Sequence, residues 1–198
     1  IEALVKCMQD FEKQILGSYQ DAEVRKVDDY NIFSENSKVA FTRLELDEES
    51  YCPIKVATDF TGDPLANILS TLSKMSNGEG AMVQIVISPT GSTWQKNGSG
   101  FVKKVENNNS DPEKKKMSVS QEKLEAIGKK VSKNGFAVDI RIVTSASDES
   151  LAKMHLDNIV AGFDQYGNPG INKFKKVEIE VRTKKRNSCM MLYIEGLV

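Results

Sequence analysis

Apolar positions recur along this chain in two rhythms, one of three and four residues and one of two, and these divide it into helices and strands. The clearest helix–strand pair lies between 59 and 88. Asp63 stands where a helix N-cap belongs, and Pro64 occupies the first helical position, where its missing N–H is no loss. Leu65, Ile68, Leu69 and Leu72 then form one stripe, so the spacing predicts a helix over 64–76. Asn77-Gly78-Glu79-Gly80 turns the chain, and alternation of Val83, Ile85 and Ile87 predicts a strand over 82–88.

The rest of the pattern is read the same way. Leu4, Met8, Phe11 and Ile15 predict an N-terminal helix stopped by Gly17, followed by a weak edge strand over 22–27 and a loop over 30–37. A mixed-polarity strand is expected over 39–46, a turn at 47–50, and a further strand after Pro53. Pro89 to Gly100 is rich in glycine and serine and reads as a loop, with a short strand over 101–105. Residues 106–116 are polar and read as a mobile insertion. Ser118 with Gln121 suggests a capping box for a helix over 119–133, whose inner face is Leu124, Ile127 and Val131. Phe136, Val138, Ile140 and Ile142 alternate in a strand over 136–143. Ser147 is the expected cap of a helix over 148–165, with Leu151, Met154, His155, Ile159 and Phe163 inside. Val177, Ile179 and Val181 predict a terminal strand, and the last apolar segment, 190–198, a further element.

This order predicts an α+β fold, with helices on one face of a mostly antiparallel sheet in ferredoxin-like units, up to two in tandem. The expected organisation is a first unit over 1–105, a linker over 106–117, and a second unit over 118–198 packed on the first.

Composition narrows the function classes. Charged residues are 28% of the chain yet leave a net charge of -1, without the basic excess of a dedicated nucleic-acid binder. No apolar run reaches membrane-spanning length. The chain begins at Ile1 inside a helical pattern, which suggests a piece of a longer polypeptide with any membrane segment outside it. Cys7, Cys52 and Cys189 are too scattered for a disulfide framework or a zinc site.

Phosphate-loop, dinucleotide-binding, nucleophile-elbow and Cys-x-x-Cys patterns are missing. His155, the single histidine, lies on an apolar helical stripe with no nucleophile or orienting carboxylate implied by spacing. The acidic turn Asp47-Glu48-Glu49 and the basic run Lys114-Lys115-Lys116 read as solvated faces. No catalytic, cofactor-binding or metal-binding residue is nominated, no cofactor is expected, and the chain reads as a non-enzyme. The candidate interaction residues are Trp94, Lys96 and Phe101, because an indole among glycines must either fold back or meet a partner. A nucleic-acid-contacting α+β module is the alternative: residues 133–140 loosely follow an RNA-recognition strand signature, with Phe136 as their one aromatic.

Several stretches carry a family resemblance: 19–30, 51–87, the Trp94-x-Lys96-x-Gly98 pattern, 134–143 and 158–175. Over roughly 19–176 the chain resembles an uncharacterised domain of Patescibacteria found ahead of or beside the ATPase of conjugative, type IV secretion-like systems. The resemblance implies a scaffold or interaction domain of a membrane-associated apparatus, in the cytoplasm or at the cytoplasmic face of the membrane. Its implied partners are other protein subunits: copies of itself in a homo-oligomer, or a secretion or conjugation ATPase. Membrane contact would come only through segments outside this chain. The chain departs from fused members of that family in lacking any ATPase motif.

Overall fold

The computed structural model describes residues 10, 12–19, 21–25 and 31–177. The chain divides into two compact units, Ile1–Asn31 and Ile32–Val198. In the first, residues 12–18 are helical, so Gly17 lies within the helix and does not end it. Residues 22–25 form no strand. Leu4, Met8, Phe11, Cys7, Cys189 and the expected elements beyond 177 lie outside the described residues.

The second unit is built on one sheet. Its strands are β1 (Lys38–Leu46), β2 (Gly80–Pro89), β3 (Phe136–Ala146) and β4 (Phe174–Val177), in the order β2-β3-β1-β4. Every neighbouring pair is antiparallel. With a helix after β1 and another after β3, this is the split βαβ order of one ferredoxin-like unit. Strands on either side of 106–117 interleave within it, and among the described residues there is a single sheet, with no tandem copy. The fold is α+β, with helices packed on the sheet.

The helices are α1 (Ala66–Leu72), α2 (Thr93–Ser110), α3 (Gln121–Val131) and α4 (Glu149–Ala161). Asp63 accepts from Leu65 N at 2.8 Å and sets the turn that leads into α1. The caps of the later helices sit slightly downstream of expectation. Ser120, not Ser118, accepts from Lys123 N at the start of α3, and Asp148, not Ser147, accepts from Leu151 N at the start of α4. The strand expected after Pro53 gives way to a 3-10 turn at Ala57–Asp59, because Asp59 takes the Val56 amide at 2.8 Å and closes the backbone on itself.

The largest misreading concerns 89–110. The expected loop and short strand are one long helix, α2. Trp94, Gly98, Phe101, Val102 and Val105 do recur at helical spacing, with a glycine as the second member of the stripe. That glycine is a packing requirement: a Cβ on Gly98 would stand 2.6 Å from Val131 Cγ1 and 2.7 Å from Tyr51 Cβ. Residues 106–110 finish this helix, and Asn109 closes the following turn by bonding both the amide and the carbonyl of Met117.

Two apolar clusters result. In the main one α4 lays Ala152, Leu156 and Ile159, with Phe163 just after it, on Ala40, Leu44, Ile140, Ile142 and Ala146, and Ile68 of α1 lies alongside. Met154, expected inside, is exposed. Thr144 is buried within this layer and donates to the Ala152 carbonyl at 2.8 Å, joining sheet to helix. The second cluster holds α2 and α3 together around Cys52, Ile127 and Ile171, with Tyr51 stacked on Phe101 at 5.5 Å. Thus α3, expected on the sheet beside α1 and α4, pairs with α2.

Candidate protein-interaction surface

The sheet is longer than the helix that covers it. The thirteen residues of α4 span about 20 Å at roughly 1.5 Å each, whereas the eleven of β3 span about 36 Å at roughly 3.3 Å each. Alternation continues to the strand ends, so apolar side chains on the helix side run out from under α4. Register places Ile85 opposite Ile140, Ile87 opposite Val138 and Pro89 opposite Phe136, all on that side. Ile142, under α4, is wholly buried, whereas Val138 is 53% exposed, Ile87 63% and Phe136 64%.

This bare end is the floor of an open concavity of about 2110 Å³. Leu65, which caps α1, and Leu69 within it line one side and are themselves exposed, while Glu125, Lys129 and Lys130 of α3 line another. The floor is apolar and the rim carries both signs of charge.

The rim is held by polar bonds to backbone carbonyls and by an ion pair between Lys123 of α3 and Glu48 at 3.4 Å. Lys130 Nζ donates to the carbonyls of Ser50 at 2.6 Å and Cys52 at 3.3 Å, fixing α3 to the loop after β1. Burial lowers the pKa of this ammonium, against a smaller opposing pull from Cys52. Burial also raises the Cys52 thiol, whose backbone carbonyl accepts from Asn172 Nδ2 at 2.8 Å. On the α1 side Tyr166 donates to the Pro64 carbonyl at 3.0 Å, its phenol raised by burial and then by Asp63.

The sequence-nominated residues Trp94, Lys96 and Phe101 all lie on α2, Trp94 and Phe101 along one stripe and Lys96 on another face. Trp94 is half-buried against Gly135, where an added Cβ would stand 2.5 Å from its Cζ2, and its indole edges the concavity. Phe101 is tied up with Tyr51 in the α2–α3 cluster, and Lys96 is exposed. Only Trp94 joins the bare surface. Ile85, Ile87 and Val138, which alternation places on strands, carry no sequence signal for a surface, and Phe136 enters the sequence reading as a contact residue only as the aromatic of the nucleic-acid alternative.

His155 is buried on α4, with Nε2 3.1 Å from Glu79 Oε2 but poorly aligned for a hydrogen bond. Among the described residues, no three His, Cys, Asp or Glu side chains converge as metal ligands, and no helix is long and apolar enough to cross a membrane. Phe136 lies on the helix side. On the other side, β1 and β3 carry Glu45, Arg43, Asp139 and Arg141, with Arg141 Nε 2.7 Å from Asp139. Phe41 of β1, half-buried, is the one aromatic on that side of these two strands, whereas an RNA-recognition sheet presents several for base stacking.

No curated protein and no solved structure matches the chain. The family model for DUF8128, a domain of unknown function, matches residues 4–191, and the chain belongs to that family.

Proposed function

We propose that this chain is a non-enzymatic interaction domain, and that the bare end of its sheet is where a protein partner docks. The observation that carries this reading is the run of exposed apolar side chains, Ile85, Ile87, Phe136 and Val138, continuous with Leu65 and Leu69. Contiguous apolar patches of this kind on a folded domain mark binding surfaces. A concavity with an apolar floor and a charged rim has the anatomy of a protein interface.

The resemblance noted above supplies the setting: a scaffold in a membrane-associated secretion or conjugation-like apparatus, in the cytoplasm or at the cytoplasmic face of the membrane. Its partners are protein subunits, either further copies of this chain or the motor ATPase.

Photo-crosslinking tests the reading. A photoreactive side chain at Val138, in the full-length protein in its own cells, is expected to form an adduct with one defined protein. Phe136→Asp should abolish that adduct. A Val138 probe that labels only water and lipid would overturn the reading. Salt-sensitive binding of single-stranded nucleic acid, in place of a protein adduct, would replace it with the nucleic-acid module.

A further inference from the structure

The two edges of the sheet are protected differently. β4 carries Lys175 and Lys176, with Lys173 just before it, and Lys176 Nζ reaches Asp157 at 2.6 Å. Lysines along an edge strand oppose pairing with another chain. β2, at the other edge, is ten residues long and pairs on one side only among the described residues. Its sequence, Gly80-Ala81-Met82-Val83-Gln84-Ile85-Val86-Ile87-Ser88-Pro89, contains no ionisable side chain. Met82, Ile85, Val86 and Ile87 are all exposed, on both faces.

We propose that β2 is a self-pairing edge: two copies of this chain join antiparallel through it, about a two-fold axis at Gln84, into one eight-stranded sheet. This deepens the interaction-domain reading, on which it rests, by naming one partner as a second copy. The strand is complementary to itself in that register. Met82 meets Val86 on the face away from the helices, and Val83 meets Ile85 on the helix face. Ala81 meets Ile87, and Gly80 meets Ser88. Each apolar residue from Ala81 to Ile87 opposes an apolar one, the arrangement that stabilises antiparallel pairs. The polar residue among them, Gln84, opposes its own copy, and an amide carries both donors and an acceptor. No register sets like charges against each other, and a net charge of -1 gives the copies little long-range repulsion. A two-fold pair is self-complementary by symmetry, as the commonest soluble dimers are. The same axis puts both bare sheet ends on one side of the assembly.

The residue on the axis gives the test. Sedimentation of the full chain at tens of micromolar is expected to show a dimer. Gln84→Lys places two ammonium groups face to face, beside Arg141, and should weaken the dimer at least tenfold. An equimolar mixture of Gln84→Lys and Gln84→Glu chains should recover it, because each lysine then meets a carboxylate. Should a charged variant fail to fold, Gln84→Cys in a chain with Cys7 and Cys189 replaced by serine is the second arm: mild oxidation should cross-link it into dimers, while Ser88→Cys in the same background and the background chain itself remain uncross-linked. A monomeric parent chain, a dimer that Gln84→Lys leaves unchanged, or a mixture that does not recover would each overturn the proposal. A monomer whose Val138 probe still labels a different protein would overturn self-pairing alone and keep the interaction-domain reading.

Discussion

Ile142 and Val138 are four residues apart on β3, on the same side, within one alternating run. One is sealed beneath α4 with no accessible surface, and the other is more than half exposed. Nothing in the strand distinguishes them, and the difference comes from what lies above. Alternation reports which way a side chain points relative to the sheet. Burial depends on whether a second layer arrives, and here that layer ends before the sheet does. One half of the face stabilises the fold, while the other leaves the same kind of surface in water, where it can stabilise a complex instead.

Substitutions can break or sharpen this contrast. Ile142→Ala opens a void in the covered half and is expected to cost about 3 kcal/mol, read by urea denaturation. A cost under about 1 kcal/mol would mean that α4 closes on the sheet less tightly than its packing indicates. Trp94→Ala, at the border, removes half-buried indole surface from Gly135 and should cost about 2 kcal/mol in the same experiment. An unchanged midpoint there would show that the indole contributes to partner binding alone. Thr144→Val keeps the shape of a covered residue but deletes its bond to the Ala152 carbonyl, for a loss of about 1 kcal/mol. Val138→Thr, on the bare half, should shift stability by no more than about 0.5 kcal/mol, measured as the melting temperature. A large shift at Val138 would erase the contrast.

Much of the fold was legible because its elements obey simple periods. β2 and β3 followed from alternation, β1 from its β-favouring residues, and α1, α3 and α4 from single apolar stripes. α2 was hidden by its own solution to crowding, since Gly98, which lets two helices and Tyr51 approach, looks in sequence like a helix breaker. The register of helices over strands was not legible. Neither α3 leaving the sheet for α2 nor α4 stopping short of Val138 is encoded in the local pattern of either partner. For that reason Trp94, conspicuous by composition, was singled out ahead of Ile87 and Val138, which are ordinary as strand residues. Element lengths were not legible either: the strands expected over 82–88 and 136–143 run to ten and eleven residues, while the helix expected over 148–165 has thirteen.

The most extensive pairing in the sheet, β2 with β3, has a kinetic consequence. The partners meet along their whole length, from Gly80 with Ser145 to Pro89 with Phe136, yet residues 90–135 lie between them. In place of a tight hairpin turn, the chain must close a loop of roughly 46 residues, which costs on the order of 2–3 kcal/mol more in entropy. Most of that loop is the α2–α3 pair, whose contacts are closer in sequence and whose helices form far sooner than a long-range ladder. Once Phe101 and Ile127 hold the pair together, the two strand ends are delivered side by side. The inserted hairpin of helices is thus placed to act as the clasp through which the sheet assembles, and weakening it is expected to slow folding as well as destabilise the folded domain.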